Sequence, residues 1–132
     1  MLPQQSRMRR AEDFRRVLRT GRRAGCSVLA GHLLLANGSH AVGSDAAVRS
    51  GDPAKVGLIV SRAVGSAVVR NRVKRRLREL MRRRLASLPR GCLLVLRAHP
   101  AAAGARQADL AADLDLVIGK LLRRQVGALR QE

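Results

Sequence analysis

Residues 55–84 read KVGLIVSRAVGSAVVRNRVKRRLRELMRRR. The opening KVGLIVS is a short apolar, β-branched run that reads as a buried strand. RAVG turns the chain, and Ser66 stands where a helix N-cap belongs, its hydroxyl able to accept from a free first-turn amide. At 100° per residue, Val69, Val73, Leu77 and Leu80 fall within about 80° of one another, while Asn71, Arg75, Arg78 and Arg82 gather on the far side. A strand therefore feeds directly into a helix with one stripe to pack and one face to project.

The projecting face is strongly basic. Residues 70–84 hold nine Arg and Lys against one acid, Glu79, which is +8 of the formal +18 carried by the 132-residue chain. With so few Glu at i−4 or i+4, the usual intrahelical pairing is missing. Arg70, Lys74 and Arg78 climb one flank at a spacing of four, with Arg75 and Arg82 beside them. Such a ladder suits a phosphate backbone, through bidentate guanidinium contacts whose affinity depends strongly on salt. A sequence pI near 12.0 likewise calls for a bound polyanion, because like charges at this density repel.

Outward from this stretch the elements alternate. Residues 6–23 read SRMRRAEDFRRVLRTGRR; Phe14, Val17 and Leu18 at helical spacing, followed by Gly21, predict a first helix over Ala11–Thr20. Residues 27–36 turn to Val and Leu and read as a strand, with a short strand before it near 23–26. Residues 37–54 have loop composition and are expected to be a flexible connection between strands. Pro89 and Gly91 end the basic helix, CLLVLRA is a second buried strand, PAAAGA a loop, and residues 108–124 a last helix with Leu110, Leu114, Val117, Leu121 and Leu122 inward. The expected architecture is one α/β (α+β) domain over 1–132: a two-layer sandwich with about four strands, mainly antiparallel, and three helices in the order αβββαβα.

Composition removes several function classes. Cys26 and Cys92 stand far apart with no metal-ligand or redox spacing near them, so buried free thiols are expected. No run approaches the roughly 18 apolar residues of a membrane span, and the basic helix lacks the Trp or Phe of a membrane-surface helix. A cytoplasmic protein is expected. Phe14 is the only aromatic residue, which disfavours modules that stack single-stranded bases on several rings and leaves backbone and shape recognition. His32, His40 and His99 are isolated, and the nine acids form no recognisable catalytic group. The adjacent Glu12 and Asp13 would diverge on a helix.

The run from Lys55 to Met81 resembles the signature of the bacterial ribonuclease P protein subunit, in which a strand, a tight Gly turn and an Arg-Asn-Arg helix follow in that order. SRMRRAEDFRRVLRTGRR is similar to that family's first helix, and LLVLRAHPAAA to its later strand, so the resemblance spans about residues 6–125. It implies a ribonucleoprotein whose catalytic RNA, with magnesium held mainly by that RNA, removes the 5′ leader of precursor tRNA; the protein itself binds and positions, without catalytic residues. It also implies a left-handed βαβ crossover around the motif helix, against the usual hand.

By the same resemblance, Arg70, Asn71, Arg72, Lys74, Arg75, Arg78 and Arg82 would contact the catalytic RNA. Phe14, Leu18, Val60, Ser61 and Arg62 would wall a cleft for the leader. Where many members carry another aromatic residue, this chain has Leu29, His32, Leu33 and Leu35, so apolar or His contact is expected there. Arg62 and Ser66 stand where the family often has Lys and Asn, which keeps charge and cap. A ribosomal or ribosome-assembly protein is the alternative that shares size and charge; a DNA-binding helix-turn-helix is disfavoured because the basic helix follows a strand.

Overall fold

A computed structural model describes residues 2–35 and 53–130, with side chains as far as 123. Helix α1 spans Ala11–Thr20. Strands β1 (Arg22–Gly25) and β2 (Leu29–Leu34) form a hairpin, and β3 spans Lys55–Ile59. Helix α2 runs over Ala67–Arg84, β4 over Leu93–Ala98 and α3 over Gln107–Arg130. Most of the loop expected at 37–54 lies outside the described residues; of its end, Ala54 is buried as it leads into β3.

The four strands form one sheet in the order β1-β2-β4-β3. β1 with β2 and β2 with β4 are antiparallel, whereas β3 and β4 are parallel and joined through α2. A parallel pair cannot be closed by a tight turn, so the long basic helix doubles as the crossover that brings β4 back beside β3. Outside β3, Arg7 forms a parallel bridge to Val56, and the Met8 N–H donates to the Val56 carbonyl at 2.9 Å. The N-terminal segment thus covers part of a strand edge that would otherwise present unpaired backbone groups.

Period-two alternation in the strands assigns the faces. Leu29 and Leu33, Val56, and Leu94, Leu96 and Ala98 turn to one side, where Val73, Leu77, Leu80 and Met81 of α2 and Leu110, Leu114, Val117 and Leu121 of α3 complete the main core. Leu93 and Val95 turn to the other side and pack beneath α1 with Met8 and Val17, joined by Phe14, Leu18, Leu34 and Ile59. Sheet, α2 and α3 make the two-layer body. Helix α1 adds a partial third layer, an assignment that helix periodicity alone does not supply.

Two contacts fix α3 on the hairpin: the Val28 N–H donates to Asp113 Oδ2 at 2.6 Å, and Lys120 Nζ donates to the Gly25 carbonyl at 2.9 Å. The PAAAGA segment, expected as a loop, is a 3-10 helix over Pro100–Gly104 with Ala102 fully buried. Pro100 sits at its first turn, where the missing N–H costs nothing. Both cysteines are free; Cys92 is buried in the core, and burial pushes its thiol up to about 12. No helix of the described residues is long and apolar enough to cross a membrane.

Candidate RNA interface

Helix α2 is set by its entry turn. The Ser66 hydroxyl accepts from the Val69 N–H at 3.3 Å, closing one orphan donor of the first turn. Before it, Gly65 adopts φ 156°, ψ −163°, a region essentially restricted to glycine. From this start Val73, Leu77, Leu80 and Met81 go inward.

The nine cations of residues 70–84 then divide into two groups. Arg70 Nε donates to the Gly65 carbonyl at 3.1 Å and so braces the turn. Arg76 donates to the Ala105 carbonyl at 3.3 Å. Arg84 holds Asp115 of α3 through Nε at 2.6 Å and a second nitrogen at 3.2 Å, and also donates to the Leu80 carbonyl at 2.9 Å. Arg82 pairs with Glu79 at 2.7 Å. These pairs move the acids in the expected direction: the Arg82 hydrogen bond holds the Glu79 carboxyl down to about 2, and Arg84 holds Asp115 below the usual carboxylate range.

Arg72, Lys74, Arg75, Arg78 and Arg83 are different. They make no hydrogen bond or ion pair with another described residue. Arg72, Arg75 and Arg83 are exposed together with Asn71, while Lys74 and Arg78 are half-buried toward the N-terminal segment. Charge density of this kind is self-repelling, and a polyanion relieves it. Of the residues expected to meet RNA, Arg72, Lys74, Arg75 and Arg78 are available as bare cations. Arg70 and Arg82 already have partners, and Arg83 joins the face although the motif does not mark it.

A second surface lies beside α1. A Cβ on Gly57 would meet two Phe14 ring carbons at 2.5 Å, so glycine lets that ring rest on the β3 backbone. Leu18 packs in the same cluster, and Ser61 and Arg62 are exposed just past β3. Val60 departs from the expected wall: it is 8% exposed and belongs to the main core on the opposite face. Leu29, Leu33 and Leu35 also pack into that core, leaving His32 as the member of that set on the α1 side.

The register adds residues that motif reading passed over. On this face Arg23 pairs across from His32 and His32 from Val95, and in the next row Ala30 pairs with Arg97 and Arg97 with Ile59. Arg23 and Arg97, both exposed, thus flank His32. Burial first, then the Arg23 and Arg97 charges, lower the His32 pKa. The lone charge in CLLVLRA was the available signal for Arg97, but only strand pairing shows what it stands beside.

Residues 2–122 match the family model described as Ribonuclease P. The chain belongs to the ribonuclease P protein family. It is 52% identical over 123 residues to the ribonuclease P protein component of Streptomyces avermitilis, covering 92% of this chain and 96% of that one. The component from a Nocardioides species is 50% identical over 115 residues, covering 87% and 90%. Among solved structures, the RNase P protein of Staphylococcus aureus superposes with a TM-score of 0.70 at 19% identity, over 88% and 96% of the two chains. That of Thermotoga maritima gives 0.66 at 22% identity, over 89% and 96%. The ribonuclease P proteins thus share this fold at low sequence identity.

Proposed function

We propose that this protein is the protein subunit of a ribonuclease P, binding a catalytic RNA through α2 and the 5′ leader of precursor tRNA through the α1–sheet cleft. In this reading it assists the RNA-catalysed, magnesium-dependent removal of the leader that yields the mature tRNA 5′ end. The observation that carries it is the division of the α2 cations. Four are tied into the protein, while Arg72, Lys74, Arg75 and Arg78 stand bare beside Asn71, as a phosphate-docking face requires. In the cleft, Phe14 supplies an apolar wall, and Arg23, His32 and Arg97 supply charge and hydrogen bonds to a single strand.

The protein's share of the work is positioning. Guanidinium groups held on a rigid helix fix the register of a phosphate backbone without supplying acid, base or nucleophile. Magnesium belongs with the RNA in this account. Among the described residues no three His, Cys, Asp or Glu side chains gather as a metal site, and a cationic face does not fit a divalent cation. No step is routed through the metal on the protein.

Reconstitution tests the proposal. Mixed with its cognate catalytic RNA, the protein is expected to raise cleavage of a leader-bearing precursor at low magnesium and to tighten binding as the leader lengthens. A protein that changes neither rate nor affinity would reject it.

A further inference from the structure

Between the N-terminal segment, α1, the outer edge of β3 and α2 lies a cavity of about 250 Å³ that joins the α2 face, through Lys74 and Arg78, to the Phe14 wall of the sheet cleft. Its floor is apolar, made by Met8, Phe14, Gly57 and Leu58. That floor depends on Gly57, whose missing side chain lets the Phe14 ring lie against the strand, with Met8 Cβ 3.2 Å from where a Cβ would stand. The rim is cationic: Arg9, Lys74 and Arg78 stand at it, and the latter two have no partner among the described residues.

Size and lining together select a ligand class. The volume falls below the roughly 300–1,000 Å³ of sites for drug-sized molecules, which suits one planar ring and not an extended cofactor. An aromatic and aliphatic floor accepts the face of a base, and cations at the mouth pair with its phosphate. We propose that this cavity takes one unpaired nucleotide of the catalytic RNA, its base on the Phe14–Leu58 floor and its phosphate on Lys74 and Arg78. The proposal rests on the RNA-docking role of α2 given above. Lys74 and Arg78 belong to both that helix and this rim, and so assign the nucleotide to the RNA on α2. The sheet cleft proposed for the leader shares the Phe14 ring with this cavity and extends away from it, toward His32 and Arg97. A docking face that meets only backbone thereby gains one base-dependent contact.

Methyl-detected NMR of the whole protein, labelled at Met, Leu and Val, tests this without a mutation. Adenosine 5′-monophosphate is expected to shift the Met8 and Leu58 methyls saturably and to bind about tenfold tighter than ribose 5-phosphate, which lacks the base. Equal binding of the two, or no movement at Met8 and Leu58, would overturn the base pocket. In a second arm the catalytic RNA is expected to move these methyls, while an isolated leader oligonucleotide leaves them in place. Movement by the leader and not by the catalytic RNA would overturn the assigned occupant. Catalytic RNA that binds and stimulates cleavage while leaving both methyls unmoved would refute the pocket alone; failure to bind at all would refute the functional reading beneath it.

Discussion

At the scale of single residues, the molecule separates cations that hold its fold from cations that remain open to a partner. Arg84 and Arg75 are both arginines of one helix, yet Arg84 clasps Asp115 at 2.6 Å while Arg75 is exposed and has no partner among the described residues. Composition cannot make that division, because both read as positive residues in the same charge run. His32 is the other residue whose role comes from its neighbours. Its folded pKa is depressed by burial and by Arg23 and Arg97. It therefore favours the folded state above the ordinary His range near about 6.5, and that contribution is lost as pH falls through its folded value. Under the proposed leader binding, a phosphate beside it would reverse the preference for the neutral form. The melting temperature of the free protein is expected to fall between about pH 7.5 and 5.5, while leader affinity rises over the same range. His32→Gln should flatten both trends; a variant that keeps both slopes would remove His32 from the cleft.

At the scale of elements, local chemistry was legible where it acts along the chain. Ala11–Thr20 is the helix its periodicity and Gly21 stop predict, and the Ser66 cap forms as expected. The 3-10 helix at Pro100–Gly104 was not legible. Its burial of Ala102 is a tertiary effect, and alanines beside a proline carry no period that announces it. Val60 misled for a related reason. It is next to Ser61 in sequence, but past the end of β3 the two part, Val60 turning into the main core while Ser61 is exposed, which only the packing shows. The same geometry ranks two substitutions. Ser66→Ala removes one exposed capping bond and should cost about 1 kcal/mol. Gly57→Ala drives a methyl into the Phe14 ring and should cost about 1–3 kcal/mol by overpacking. Chemical denaturation of both variants checks the order, and an undisturbed Gly57→Ala would mean that the Phe14 ring does not rest on β3.

At the scale of the whole molecule, the sequence supplied the inventory of helices and strands, and pairing supplied the rest. The β1-β2-β4-β3 order, the parallel β3–β4 pair and the placement of α1 opposite α2 and α3 depend on contacts far apart in the chain. The basic ladder on α2 was legible because helical spacing gathers its members locally. The cluster of Arg23, His32 and Arg97 was not, because it draws on two adjacent rows across three strands.

The claim that the bare α2 cations dock phosphate is tested most directly by the salt dependence of catalytic-RNA binding for the wild type, the Arg75→Ala/Arg78→Ala double variant and Arg84→Ala. Each phosphate left without its guanidinium should weaken binding and reduce the log–log salt slope by about 1. The double variant should therefore show a slope shallower by about 2 with unchanged circular dichroism, while Arg84→Ala keeps the wild-type slope. A double variant with wild-type affinity and slope would contradict the account and make the α2 face a solvated surface.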